Sequence, residues 1–296
     1  MRFPSTFTTS HRDHSNSRVA FLMLLMWLGG ERLGNMHGHF GTGWSPGRIS
    51  QIVSHISAWI SQTWLHLVSF KGAKNHLLSP DQLQRYAQIN HEKGCPREDC
   101  WGFIDGTLRR IARPVRCQEN AYNGWKHLHA LKYQFLTTPD GLVWVSGPED
   151  GAVHDVYVLR ASGLNEWLEI HSHTPEGQPL YLYGDSGYPN YPRIRSPYKG
   201  PNVTSSETAS NREMSRYRIT VEWTIDSVAC LFPRLDNHRS QKALHGAISR
   251  DFHIACLLRN ALTCVSGSET SQYYRTNAPS LQEYFNPDYR RCEGQG

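Results

Sequence analysis

Between residues 45 and 64 the apolar positions Ile49, Ile52, Val53, Ile56, Ile60 and Trp64 return every three or four residues. They follow Ser45-Pro46, an N-cap with proline in the first turn, so the pattern predicts an amphipathic helix. Upstream, the apolar run from Val19 to Leu28 has the length of a signal-peptide core. It starts late, and Gly29-Gly30-Glu31-Arg32 is a poor cleavage site, so a buried helix is expected there. Ser79-Pro80-Asp81-Gln82 has capping-box spacing and opens a helix predicted to reach about Lys93 and stop at Gly94. From Trp101 the texture changes to short apolar runs, which predict strands near 101–105, 108–115, 130–138 and 142–147, with a hairpin at Asp140-Gly141. A helix near 155–169, a buried strand at 180–183, loops at 189–201 and 202–211, and helices at 211–231 and 241–264 complete the reading. The expected organisation is therefore a tail (1–17), a helical segment (18–70), a helix and connector (71–100), an α/β domain (101–265) and a second tail (266–296). A short helix, a turn and a longer helix carrying Arg48, Ser50 and Gln51 suit a helix-turn-helix DNA reader, and equally suit a plain helical hairpin packed on the main domain.

Composition narrows the class. The 296 residues carry 31 Lys+Arg against 26 Asp+Glu, with 39% apolar and 11% aromatic residues, enough for one substantial core. No apolar run is long enough for a membrane span. Seven cysteines, odd in number and scattered, point to a reducing compartment rather than a disulfide framework. The charge is unevenly placed: residues 106–135 hold six Lys/Arg and one acid, 186–242 hold nine basic and five acidic residues, and 140–185 hold eight acids and one Arg. Basic strips beside an acidic centre suit a phosphodiester substrate, whose backbone needs cations while a metal needs carboxylates.

Three acids stand where the predicted elements direct them to a common place. Asp105 closes Phe103-Ile104-Asp105, Asp185 follows the buried strand in Gly184-Asp185-Ser186-Gly187, and Glu222 lies in a late helix. Carboxylates at strand ends lie at the sheet rim, where open α/β folds place ligands. Two or three such oxygens suit two divalent cations, the arrangement that activates a nucleophile and steadies a leaving oxygen. Taken singly, Asp-Gly after a strand is more often a turn, and Glu222 has an ordinary i,i+4 partner in Arg218. Met214, Val221, Ile225, Val228 and Phe232 form the helix's core stripe, leaving Glu222 and Asp226 on its edge.

The ordered motifs Gly102-Phe103-Ile104-Asp105-Gly106-Thr107, Tyr122-Asn123-Gly124-Trp125-Lys126-His127-x-His129, Gly151-x-x-His154-Asp155, Gly184-Asp185-Ser186-Gly187-Tyr188-Pro189 and Asn211-x-x-Met214-Ser215-x-x-Arg218-x-x-Val221-Glu222-Trp223 resemble the PIF/Harbinger group of DDE transposases. The resemblance covers about 100–262. It implies an RNase H-like mixed sheet flanked by helices, with Asp105, Asp185 and Glu222 as catalytic metal ligands for Mg²⁺ or Mn²⁺ and Asp155 as a further candidate; Asp226, one turn on from Glu222, is either a second acid at the site or a solvated one. It also implies DNA contacts at Arg48, Lys126, His129 and Arg218, a helix-turn-helix segment before the core, a nuclear location, a Myb-like accessory protein and a homo-oligomer that pairs DNA ends. The family's Phe-Gly and Leu-Lys after the Glu motif are replaced by Ile225-Asp226 and Val228-Ala229, as in a decaying or domesticated copy. The expected function is thus a metal-dependent DNA endonuclease-transposase. The alternative is a transposase-derived protein that binds DNA or a partner without cleaving, and a weaker one is a nuclease acting on RNA or hybrids.

Other chemistry is poorly supported. His91, Cys95 and Cys100 lack a fourth nearby zinc ligand, so a connector with incidental thiols is expected. The chain has no Walker loop, dinucleotide glycine motif or supported Ser-His-Asp set.

Overall fold

The computed structural model describes residues 5–8, 14–39, 44–69, 76–242 and 247–285. Near the N-terminus, β1 (Thr6–Thr8) and β2 (His14–Asn16) pair antiparallel. The expected tail at 1–17 is corrected to that extent, while residues 1–4 and 9–13 of it lie outside the described residues. Next come α1 (Ser17–Leu28), α2 (Leu33–His39) and α3 (Pro46–Trp64). The Asn16 side chain caps α1 by accepting from the Arg18 N–H at 2.9 Å, and Ser45 caps α3 by accepting from Arg48 at 3.2 Å. The run read as a buried helix packs inward: Ala20, Met23, Leu24 and Leu28 on α1 are fully buried against the Ile49, Ile52, Ile56 and Ile60 stripe of α3. Among the described residues no helix is long and apolar enough to cross a membrane.

The chain then forms α4 (Pro80–Glu92), β3 (Cys100–Arg110), α5 (Gln118–Ala121), β4 (Tyr122–Asn123), β5 (Leu128–Thr137), β6 (Val143–Asp150), α6 (Asp155–Ser162) and α7 (Leu164–His171). After these come β7 (Tyr181–Tyr183), β8 (Ile194–Arg195), α8 (Ser205–Leu231), α9 (Ile248–Ser266), α10 (Glu269–Tyr274) and α11 (Leu281–Phe285). In the main sheet β6, β5 and β3 lie side by side antiparallel, and β7 and then β8 continue parallel to β3. Three antiparallel strands followed by two parallel ones, flanked by helices, make the RNase H-like mixed α/β fold. One face carries α8 and α9, where Phe135 and Tyr133 of β5 meet Phe252 of α9 at ring distances of 5.8 and 4.1 Å. On the other, Trp101 donates its indole N–H to Ser172 Oγ at 2.9 Å and packs on Trp167 of α7.

Several elements differ from expectation. The strands predicted at 101–105 and 108–115 are one strand, β3, with Asp105 in its middle rather than at its end. The single helix expected at 155–169 breaks at Gly163, whose φ of 71° is the left-handed geometry that ends a helix. Helix α8 begins at Ser205, six residues before the expected start, because Thr204 and Glu207 form a capping box inside the stretch read as a loop. The helix expected at 241–264 begins at Ile248, and residues 243–246 lie outside the described residues. The expected C-terminal tail contains α10 and α11: Tyr284 is fully buried with its hydroxyl accepting from Asn260 at 3.0 Å, and Phe285 meets Trp64 edge-on at 5.0 Å. Residues 286–296, including Cys292, lie outside the described part. The six described cysteines are free.

Candidate active site

Register brings the first two acids together. The parallel pairing of Phe103 with Tyr183 sets Asp105 and Asp185 at the same level, each two residues further on. There β7 ends and the chain turns away, so Asp185 stands in a tight turn and accepts from the Gly187 N–H at 2.8 Å. On the other side β3 stays paired, Asp105 with Phe135 and Gly106 with Gln134. Asp105 therefore projects from the centre of a sheet at the point where the parallel neighbour drops out.

Alternation along β3 puts Asp105 on the α8/α9 face and the Gly106 position on the other. On the first face, Arg218 of α8 donates to Asp105 Oδ2 at 2.8 Å and to Glu222 Oε1 at 2.7 Å. The i,i+4 pair anticipated for Glu222 is thus present, and the same guanidinium extends it to a third acid. Arg218, expected as a DNA contact, is committed here to two carboxylates. Burial pushes the Asp105 carboxyl up to about 6, Arg218 opposes that, and the charges of Asp185 and then Glu222 raise it further. The Glu222 side chain remains 45% exposed, against 17% for Asp105.

On the second face, Asp155 opens α6 and pairs with Lys132 Nζ at 3.0 Å, while Lys132 also donates to the Val153 carbonyl at 3.0 Å. Gly106 is required here because a Cβ would overlap the Asp155 carboxylate. Gly187 lies between the acids: a Cβ there would stand 3.0 Å from Asp185 Oδ1 and 3.3 Å from Asp155 Oδ2. Beneath them Tyr188 is fully buried, accepts from Gln134 at 3.0 Å, and has its hydroxyl held protonated by burial and by the charges of Asp155, Asp105 and Asp185. Gly106, Gly187 and Tyr188 lie in the quoted motifs, yet their supporting roles, and that of Lys132, follow from contacts that spacing alone does not reveal.

The other candidates lie elsewhere. Asp226 is exposed, and its charge acts on Arg109, which donates to the Ile225 carbonyl at 3.0 Å. Lys126 is exposed in the loop between β4 and β5, and His129 stacks on Tyr122 at 5.3 Å. Arg48 lies over the Trp44 ring at 4.2 Å, in the first turn of α3. The thiols of the H-x3-C-x4-C stretch pack inward, Cys95 Sγ reaching Met214 Sδ at 3.6 Å.

The residues that would hold a divalent cation were tested by their own chemistry. Among the described residues no group of three or more His, Cys, Asp or Glu is gathered as a ready-made cage, because Arg218 stands between Asp105 and Glu222. The donor set is nevertheless all hard carboxylate oxygen, the kind Mg²⁺ and Mn²⁺ take. Asp105's proton affinity is raised first by burial and then by the nearby charges of Asp185 and Glu222, against the opposing Arg218. The three carboxylates are of the right chemical kind for such a cation, with Arg218 occupying the space between Asp105 and Glu222.

A family model described as DDE superfamily endonuclease matches residues 104–260, more than half of the chain. The match spans all three acids. The Arabidopsis thaliana protein described as Protein ALP1-like is 24% identical over 237 residues, which are 75% of this chain and 57% of that protein. The chain thus spans little more than half the length of this curated relative. No solved structure matches.

Proposed function

This chain belongs to the DDE superfamily endonucleases, and on that premise we propose that it is a metal-dependent DNA nuclease of the transposase type, cutting phosphodiester bonds and joining the freed 3′ hydroxyl to a target. The observation that carries the reading is the placement of Asp185 just past the Phe103–Tyr183 pair, near enough to act on Asp105, with Arg218 linking Asp105 to Glu222. In this reading Asp105, Asp185 and Glu222 are the ligands, and the cation is Mg²⁺ or Mn²⁺. The chemistry such cations supply is activation of the attacking oxygen and neutralisation of the departing one. Gly187 leaves the mouth of the site clear, Lys132 fixes Asp155 at the helix start, and Tyr188 remains a neutral floor below the acids. Arg218, bridging Asp105 and Glu222, balances the charge of the two carboxylates.

Asp226 points to solvent and towards Arg109, and Ile225 and Val228 are buried in the core stripe, so none of them displaces the acids. The proposal extends to the nucleus as location, to α3 with Arg48 as a DNA-facing helix, and to a Myb-like accessory protein and a homo-oligomer as partners.

Calorimetric titration of the full chain with MgCl2 and with MnCl2, comparing wild type with Asp105→Ala and Glu222→Ala, tests the site. Both substitutions are expected to weaken binding. Asp185→Asn is expected to abolish plasmid cleavage while leaving DNA affinity unchanged. A folded chain that binds DNA but neither takes up the cation nor cuts in its presence would instead be a transposase-derived binding protein.

A further inference from the structure

The tight loop that joins β4 to β5 exposes an aromatic side chain that the acid site does not use. Trp125 at its tip is 86% exposed, whereas Trp101 and Trp144 are fully buried. An indole left in water forgoes the burial that stabilises most tryptophans and presents an open aromatic face. The loop is also shaped. Lys126 N–H donates to the Asn123 side chain at 2.9 Å, His127 adopts φ 53°, and the Tyr122 hydroxyl meets His127 Nδ1 at 3.3 Å. Tyr122 is 40% exposed and stacks on His129 across the β4–β5 pair.

Its surroundings are cationic. Lys126 and, on the preceding segment, Arg110, Arg113 and Arg116 are exposed, and Glu119 is the one acid between residues 106 and 135. Aromatic faces interleaved with cations are the chemistry that binds unpaired nucleic acid, bases stacking on rings while phosphates meet the charges.

The loop is tied to the acids. Asn123 Nδ2 donates to the Gly151 carbonyl at 2.8 Å, and the Ala152 N–H donates to the Asn120 carbonyl at 3.0 Å. Gly151 has no room for a Cβ between the Ala121 and Ala130 carbonyls. Four residues on, the same turn presents Asp155. His129 lies beside Ile111, whose N–H it accepts at 2.9 Å. That is six residues along the β3 direction from Asp105, ~20 Å at ~3.3 Å per residue.

We infer that Trp125, at the tip of the loop between β4 and β5, is a stacking platform for an unpaired base of the DNA beside the bond the acids face. The inference rests on the DNA-nuclease reading and adds to it a preference for an unpaired stretch beside the cut. Lys126 pairs with a phosphate flanking the stacked base.

The test is fluorescence anisotropy with the full chain, a fluorescein-labelled dT20 and a 20-base-pair duplex, in wild type, Trp125→Ala, Trp125→Phe and Lys126→Gln. A single base stack is lost in Trp125→Ala, so its dT20 affinity is expected to fall about five- to hundredfold. Trp125→Phe should keep most of that affinity, and duplex affinity should change less than twofold, which also reports that the variant is folded. The slope of log affinity against log salt should be unchanged in Trp125→Ala and shallower by about 0.7 in Lys126→Gln. Unchanged dT20 affinity in Trp125→Ala, or an equal loss on duplex, overturns the platform while leaving the nuclease reading standing. Wild-type chain that binds neither oligonucleotide overturns both.

Discussion

Replacing Asp105 by Asn should stabilise the cation-free protein at neutral pH, although it removes a residue placed at the centre of the site. Burial, beyond what Arg218 offsets, moves this carboxyl from the ordinary 3.8 of an aspartate to about 6. A carboxyl raised by folding holds its proton more tightly in the folded chain than in the unfolded one. Its stabilising contribution is therefore present below pH ~4, is lost as pH climbs towards 6, and is absent above that. A displacement from 3.8 to about 6 corresponds to ~3 kcal/mol. Asn does not titrate and can still accept from the Gly106 N–H, as Asp105 does at 2.8 Å. The stability difference between Asp105→Asn and wild type should thus grow in favour of the variant by ~2–3 kcal/mol between pH 4 and pH 7. Urea denaturation of both proteins in EDTA at pH 4, 5, 6 and 7 measures it, and the neutral-pH gain appears as a rise in melting temperature of about 2–4 °C per kcal/mol. A difference that stays flat across this range, or that moves in favour of wild type as pH rises, would refute the claim that Asp105 is buried among like charges.

Arg218→Gln removes the cation shared by Asp105 and Glu222 and should cost ~1–3 kcal/mol at pH 7.5, less at pH 5 where Asp105 is protonated; urea midpoints at the two pH values read both effects. Gly106→Ala should destabilise by more than ~2 kcal/mol, because the new Cβ overlaps the Asp155 carboxylate, whereas Gly124→Ala, with nothing within 4 Å, should stay within ~0.5 kcal/mol; equal melting temperatures would sink the contact. Tyr284→Ala should cost ~3–5 kcal/mol by calorimetric melting, because a fully buried ring bonded to Asn260 is lost; a negligible change would return this segment to a tail.

Where local chemistry and tertiary packing agree, the chain can be read residue by residue. The α3 stripe is an example: Ser45-Pro46 starts it, the isoleucines keep a single face, and that face is buried. The α8 stripe from Met214 to Phe232 is another, and Glu222 falls at its edge as the period requires. Reading fails where a residue answers to a distant partner. Asp105-Gly106 has the local chemistry of a turn, and nothing nearby in sequence reveals that the glycine exists to admit the Asp155 carboxylate to an unbroken strand. The C-terminal segment looks like a tail because it lacks aliphatics. Yet Tyr284 and Phe285 are anchors, and their rings were the available signal. Thr204 and Glu207 show the opposite failure: the capping box was legible three residues apart, but its polar setting read as loop.

The order of constraints at the acids explains why three motifs scattered over more than a hundred residues act as one. Parallel pairing of Phe103 with Tyr183 brings the end of β7 to the level just before Asp105, and the turn closed by Gly187 N–H on Asp185 sets the second acid there. Glu222 has no such backbone tie, and its position depends on where α8 lies across β3. That placement is held by the buried stripe below and by Arg218, whose two contacts of 2.7 and 2.8 Å span the gap between helix and strand. Changes at Asp226 and Ala229 occur further along α8 on surfaces these contacts do not use, which is why α8 can drift in sequence there without moving Glu222. Substitutions on the stripe itself would not be so tolerated: Val221 is fully buried immediately before Glu222, and a smaller residue there would let the helix settle and draw the carboxylate away from Asp105.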